Sequence, residues 1–311
     1  MKILLIGYNR IGDTILSTGL INFLLNKYKN ASFTIVTSSI SVSIFEDMPQ
    51  LEELIIVDKK KYSLHWLEIW LKTKSVKWDL IVDLRSSSLA NILSCKQKMI
   101  FKGNMHEHKL DQLKKFIGSV DEIKPKIWAN DKNYLDIYEK KNLKNNYICI
   151  APISNFPGKD WSIKKYTSLL ENDLFKSYDI VILGATSDKK ELDDINQLVQ
   201  GSNQVIKNLI NDANLIETYF ILKKAALFLG SDSANMHMAV AANIPTIGLF
   251  GPTNEKLYGP LGKNNLSLRG DKSFSEIVNQ LDYKSGKIKS YLDNLSVTKV
   301  HKEIERILES K

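Results

Sequence analysis

Three segments of the 311-residue sequence hold residues whose types and spacing could do chemistry. The first is Gly7-Tyr8-Asn9-Arg10-Ile11-Gly12-Asp13, where an apolar strand should end and a helix begin. Open α/β sheets bind ligands in the crevice at the carboxyl ends of their strands, and glycines let the backbone come close to a ligand there. Asn9 stands where G-x-G-x-x-G needs its middle glycine, and the Lys-Ser/Thr pair of a P-loop is missing. Neither a dinucleotide nor ATP is indicated. Asp13 has two readings: a carboxylate that projects into the crevice and can take a proton, or an ordinary helix cap.

The second segment, Ala151-Pro-Ile-Ser-Asn-Phe-Pro-Gly-Lys159-Asp-Trp161, is a loop after an apolar run. Its lysine can neutralise phosphate as a point charge, or be an ordinary surface lysine. The third runs from Leu229-Gly-Ser-Asp232-Ser233-Ala234-Asn235-Met-His237 to Gly251-Pro-Thr253. A buried strand feeds a tight turn and then a helix of small residues. The free N–H groups of Ser233, Ala234 and Asn235 at that helix start could bind phosphate. By charge Asp232 suits sugar hydroxyls beside the phosphate better than the phosphate itself. His237 lies one turn in, either facing the same end or packed in the core. Thr253 ends the next strand and reaches the same cleft. No Asp-x-Asp occurs, so the usual carboxylate clamp for a diphosphate-bound cation is missing. His106 and His108 are two residues apart with no convincing third ligand, so no metal is expected.

These residues need elements to hold them at the carboxyl ends of strands. Short continuous apolar runs (Lys2–Gly7, Phe33–Thr37, Leu54–Val57, Asp79–Leu84) alternate with helical patterns such as Thr14–Tyr28 and His65–Lys74. Leu89–Lys96 reads as helical, followed by a short strand at Lys98–Phe101. The pattern restarts after the lysine-rich Glu139–Asn146, with strands at Tyr147–Ala151, Asp179–Leu183, Ala226–Leu229 and Thr246–Phe250 and a closing amphipathic helix at Val297–Leu308. Continuous runs mark parallel strands covered on both faces. The fold class is therefore α/β, with two Rossmann-like domains facing a central cleft: residues 1–143 and 147–295.

Composition bounds the rest. Hydrophobic content of 43% allows a large core, and the net charge is +8. The arginines are only Arg10, Arg85, Arg269 and Arg306. Nucleic-acid readers lean on arginine forks, so no nucleic acid is expected; a peripheral contact with anionic membrane stays open. Of His65, Trp66, Trp70 and Trp78, two are assigned to the core and the others could meet a membrane. Cys95 and Cys149 read as buried thiols of a reducing compartment. No run approaches the length of a membrane span, and the protein is expected in the cytoplasm, with association at the inner face of the cytoplasmic membrane open.

The three segments together resemble glycosyltransferase family 9, the heptosyltransferases of lipopolysaccharide core synthesis. The resemblance runs along nearly the whole chain. It implies the GT-B fold, with the C-terminal helix, residues 296–311, crossing back to the N-terminal domain. It also implies inverting transfer with no metal or cofactor, from a nucleotide-sugar donor (ADP-heptose) to a glycolipid acceptor. By resemblance Asp13 is the general base, Lys159 the phosphate-binding lysine and Asp232 the sugar-hydroxyl ligand. Ser233 and Ala234 match the family's phosphate-binding backbone and His237 its motif histidine; Asn235 and Thr253 stand beside them as read above. His108 falls near an acceptor-side segment of the family, and Arg10, in this chain's own Asn9-Arg10-Ile11, sits near the phosphate or the acceptor. Ala234 stands where the family commonly has glycine; a positive φ there would cost about 1 kcal/mol or more. The competing readings are a GT-B-like sugar-nucleotide epimerase or hydrolase, and a non-catalytic sugar-nucleotide binding protein.

Overall fold

The computed structural model describes residues 1–131, 136–143, 146–280 and 290–309. It divides into two compact units, Met1–Asn130 and Asp131–Lys311. The division falls ahead of the lysine-rich stretch that suggested a boundary in the sequence.

The first unit is a five-stranded parallel sheet in the order β3-β2-β1-β4-β5. The strands are β1 (Lys2–Ile6), β2 (Ser32–Thr37), β3 (Leu51–Ile56), β4 (Trp78–Asp83) and β5 (Cys95–Ile100). β1 is buried on both faces, which its Ile-Leu-Leu-Ile run announces. The Ile11–Lys27 helix buries an unbroken run from Thr14 to Ile21, so it lies deep and is not merely laid on the surface. Gly7 permits the turn between them: a Cβ there would meet Val36 O at 2.9 Å.

The second unit repeats the plan with six parallel strands, β11-β10-β9-β6-β7-β8. They are β6 (Tyr147–Ala151), β7 (Asp179–Ile182), β8 (Ile206–Asn208), β9 (Leu227–Ser231), β10 (Thr246–Phe250) and β11 (Asn265–Arg269). Chain order reverses between β1 and β4 in the first sheet and between β6 and β9 in the second. At such switch points the neighbouring connections leave toward opposite faces and open a crevice at the carboxyl ends. Asp13 follows β1, Lys159 follows β6 and Asp232 follows β9, so all three sit beside a switch point of their own sheet.

Some expectations change. The helix foreseen at Leu89–Lys96 stops at Ile92, and Cys95 opens β5, in register with Trp78. Cys95 is therefore half-buried on an edge strand, while Cys149 is fully buried. Edge strands β8 and β11 were not foreseen. The final helix, Val297–Glu309, sets Val300, Ile304 and Ile307 into the core of the second unit with Trp161 and Tyr166. Trp161 Nε1 donates to Leu295 O at 3.0 Å just before that helix. Among the described residues no helix is long and apolar enough to cross a membrane.

Truncating Ile304, which is 0% exposed, should leave a cavity in that core. Ile304→Ala is expected to lower unfolding stability by about 3 kcal/mol, read from the urea midpoint at unchanged slope. A loss under about 1 kcal/mol would mean the helix is not part of the core.

Candidate functional site

In the second unit the loop after β6 and the turn after β9 start side by side, because β6 and β9 are sheet neighbours in register (Ala151↔Gly230). Lys159 Nζ donates to Asp232 Oδ2 and to Asp232 O, each at 3.1 Å. Ser231 Oγ donates to Lys159 O at 2.7 Å, closing the link from the other direction. His237 Nε2 stands 3.6 Å from Asp232 Oδ1. Asp232 and His237 are buried, and Lys159 is half-buried. Burial alone would push the Asp232 carboxyl up. The nearby His237 imidazole and the charge of Lys159 outweigh it and hold the group down to about 2.

The turn delivers the chain into the Ala234–Ala241 helix, with Ser233 as an extended N-cap whose side chain makes no capping bond. The first N–H groups of that helix have no partner within it and carry its positive dipole end. Ala234 is the first helical residue and is not among the positive-φ positions, so the strain considered for an alanine there does not arise. The helix packs closely on β10: a Cβ on Gly248 would meet Met236 Sδ at 2.5 Å. Two hydroxyl oxygens here, Ser233 Oγ and Thr253 Oγ1, are buried without a hydrogen-bond partner. Such groups cost about 1–3 kcal/mol each unless a ligand or water takes them.

Sequence reasoning missed what holds Thr253. Arg269, at the end of β11, donates to the carbonyls of Gly251 and Thr253 and pairs with Glu255, Nε to Oε1 at 3.2 Å. The available signal was an arginine in a chain with few of them, one residue before Gly270. Asp160 was missed too. Burial pushes its carboxyl up to about 7 against hydrogen bonds from Ser154, and Oδ1 has no partner. Beyond Ser154 opens a cavity of about 540 Å³, lined by Asn155, Thr186, Asp188, Glu191 and Asn211 among others.

In the first unit the Ile11–Lys27 helix begins after Arg10, so Asp13 is in its first turn and not at the cap position. Arg10 is exposed and Asp13 partly so. The neighbour of Asp13 is Lys109, unforeseen in the sequence. Burial lowers the Lys109 ammonium and the Asp13 charge opposes that. Its Nζ lies over the rings of Tyr8 at 4.8 Å and Phe101 at 4.5 Å. His108 is buried as the N-cap of the Lys109–Phe116 helix, its Nδ1 accepting from Leu110 N at 3.2 Å. The loop before it is pinned by buried Gln112, which accepts from Asn104 N at 2.8 Å and donates to Glu107 O at 2.6 Å.

Residues 91–283, more than half of the chain, match the model of glycosyltransferase family 9 (heptosyltransferase). The chain belongs to that family. It is therefore a glycosyltransferase, and the epimerase, hydrolase and non-catalytic readings fall away. Lipooligosaccharide heptosyltransferase 2 of Campylobacter jejuni subsp. jejuni serotype O:2 is 25% identical over 272 residues, covering 83% of each chain. Lipopolysaccharide heptosyltransferase 3 of Escherichia coli is 24% identical over 292 residues, 81% of this chain and 84% of its own. The family 9 glycosyl transferase from Veillonella parvula DSM 2008 superposes with a TM-score of 0.78 at 19% identity, covering 100% of this chain and 97% of that one. E. coli ADP-heptose lps heptosyltransferase II gives 0.74 at 17% identity, covering 100% and 99%. The fold is GT-B, as the family resemblance implied.

The buried Asp232 and the half-buried Asp160 should titrate stability in opposite senses. Asp232 is depressed, so its contribution is complete above the unfolded value near 4 and is lost as pH falls from about 4 to 2; the size is on the order of 2 kcal/mol. Asp160 is raised, so stability declines as pH rises from about 4 to 7. Urea midpoints across pH should show the acid limb flattened in Asp232→Asn and the neutral decline flattened in Asp160→Asn. Unchanged profiles in both variants would refute the assignment. Arg269→Ala should cost about 3 kcal/mol, because it strands Glu255 and two loop carbonyls.

Proposed function

We propose that this enzyme transfers heptose from ADP-heptose to a lipopolysaccharide or lipooligosaccharide core, or to a related glycolipid, with inversion and without a metal, on the cytoplasmic side of the membrane. The observation that carries the reading is the meeting of Lys159, Asp232 and His237 at the open end of the Ala234–Ala241 helix. The relatives' names supply the sugar and the acceptor class. E. coli heptosyltransferase WaaC, whose structures include one with ADP, shares the fold at a TM-score of 0.74 and 16% identity, covering 99% of this chain and 100% of that one.

The donor diphosphate lies at the helix start. It draws Lys159 toward it and takes the N–H groups of Ser233, Ala234 and Asn235. The hydroxyls of Ser233 and Thr253 gain a partner in the same step. Asp232, ionised and oriented by His237, accepts sugar hydroxyls. The nucleoside extends toward the polar cavity beside Thr186. Asp13 removes the proton from the acceptor hydroxyl as its oxygen bonds to the anomeric carbon. The bond from that carbon to the diphosphate oxygen breaks on the opposite face, which inverts the centre. Lys159 and the helix dipole stabilise the negative charge that ADP carries away, the task a divalent cation performs in Asp-x-Asp enzymes. Lys109 places a positive charge beside Asp13. Arg10 contacts the acceptor, and His108 serves by setting the helix that presents Lys109.

Asp13→Asn should keep the thermal upshift given by ADP and lose about 10²–10⁴-fold in turnover. Lys159→Ala should lose the ADP upshift itself. ADP should stabilise the native protein more than UDP or GDP at equal concentration. Wild-type turnover in Asp13→Asn would remove it as the base, and equal upshifts from the three nucleotides would remove the ADP assignment.

A further inference from the structure

The Leu64–Thr73 helix buries His65, Ile69 and Thr73 against the first sheet. Its opposite side carries Leu64, Leu67 and Leu71, spaced i, i+3, i+7 and each 52% exposed. Just before it, Tyr62 is 92% exposed, and Tyr62 and Ser63 hold consecutive left-handed φ values of 54° and 59°. Left-handed φ at two successive non-glycine residues is uncommon, and the Tyr62 ring beside it stands almost wholly in solvent. Ile40, 57% exposed, is tied to the same loop by Ser39 N donating to Asp58 Oδ1 at 2.9 Å. A lone exposed leucine needs no explanation, but a continuous stripe does.

Charge identifies the partner. Residues 59–77 contain Lys59, Lys60, Lys61, Lys72, Lys74 and Lys77 against one acid, Glu68. Glu68 is already held by Lys60 at 2.6 Å and Lys72 at 3.2 Å. Lys74 Nζ lies 4.4 Å over the Trp70 ring, and Arg85 lies 4.2 Å over Trp66. Lysine is depleted at protein–protein interfaces, so a lysine border argues against a protein partner. It suits an anionic bilayer, where lysine stems lie along apolar surface and their ammonium groups reach the headgroups. An exposed tyrosine fits the same interfacial layer. The loop follows β3, so it leaves the sheet at the carboxyl edge that also carries Asp13 after β1.

We propose that this face docks the enzyme on anionic lipid, with Tyr62, Leu64, Leu67 and Leu71 entering the interface and the lysines gripping headgroups. On the functional reading above, whose acceptor is lipid-anchored, it would bring the Asp13 edge to the bilayer.

The test uses the whole chain and vesicles of phosphatidylcholine with about 30 mol% phosphatidylglycerol, against pure phosphatidylcholine, with no acceptor present. The native protein should sediment with the anionic vesicles and be released by salt. Lys59→Ala/Lys60→Ala/Lys61→Ala should weaken partitioning by about 100-fold, at roughly fivefold per lysine. Leu64→Gln/Leu67→Gln/Leu71→Gln should weaken it at least about tenfold with an unchanged melting temperature. Absence of native binding, or equal binding by all three proteins, overturns the proposal. So does a native dimer that the leucine variant dissociates without any vesicle binding. Transfer to a deacylated, water-soluble acceptor should be native in both variants. Its absence in the native protein would sink the functional reading and leave the vesicle result standing.

Discussion

The second unit is organised around one buried charge. Asp232 is almost out of water, yet it stays ionised because an ammonium and an imidazole meet it at 3.1 and 3.6 Å. An unpaired carboxylate in that position would be among the most unfavourable groups in the molecule. The partners come from different places in the sequence: Lys159 from the loop after β6, and His237 from the helix that Asp232 precedes. They can meet only because β9 returns to lie beside β6. The sheet order β11-β10-β9-β6-β7-β8 is thus what makes the charge tolerable, and the charge in turn fixes where two irregular segments stop.

The same constraint recurs around it on a smaller scale. Backbone at the carboxyl edge of a sheet leaves the ladder and must find other hydrogen-bond partners. Arg269 supplies them to the carbonyls of Gly251 and Thr253. In the first unit Asp83 accepts from Arg85 N at 2.8 Å and Ser87 N at 2.7 Å, and Gln112 fastens Asn104 and Glu107. In these three cases the side chain belongs to a regular element and reaches out to a loop. The loops are thus held by the scaffold.

This arrangement explains what the sequence discloses. The central strands and the Ala234–Ala241 helix are legible because burial on both faces demands unbroken apolar runs such as Ile-Leu-Leu-Ile and Ile-Cys-Ile-Ala. β8 and β11 are not, because Ile206-Lys-Asn and Asn265-Leu-Ser-Leu-Arg lie at partly buried sheet edges that carry polar residues. Lys159 and Asp232 announce themselves by following strands and His237 by lying one turn into the next helix, but nothing in their spacing says that they touch. The roles of Arg269 and Lys109 are hidden for a different reason: they depend on Gly251, Thr253 and Asp13, which are distant in sequence. The tryptophans drew attention as membrane candidates, yet Trp78 is buried and Trp66 and Trp70 pack against the core, which leaves the leucines outside.

The Lys159–Asp232 pair also constrains how the proposed reaction can be built. An ammonium that turns toward a diphosphate gives up part of its contact with the carboxylate it now meets. As Lys159 moves to the donor phosphate, Asp232 loses its nearest cation while still surrounded by protein. Only the donor's own hydroxyl groups, with His237, can then keep it bonded. A nucleotide without its sugar would therefore leave Asp232 short of a partner, and a sugar lacking the right hydroxyls would be resisted by the same group. Sugar recognition and phosphate binding are then one event. The interaction that strengthens most as charge builds on the leaving diphosphate is the one with Lys159, and differential binding of that kind is what lowers a barrier.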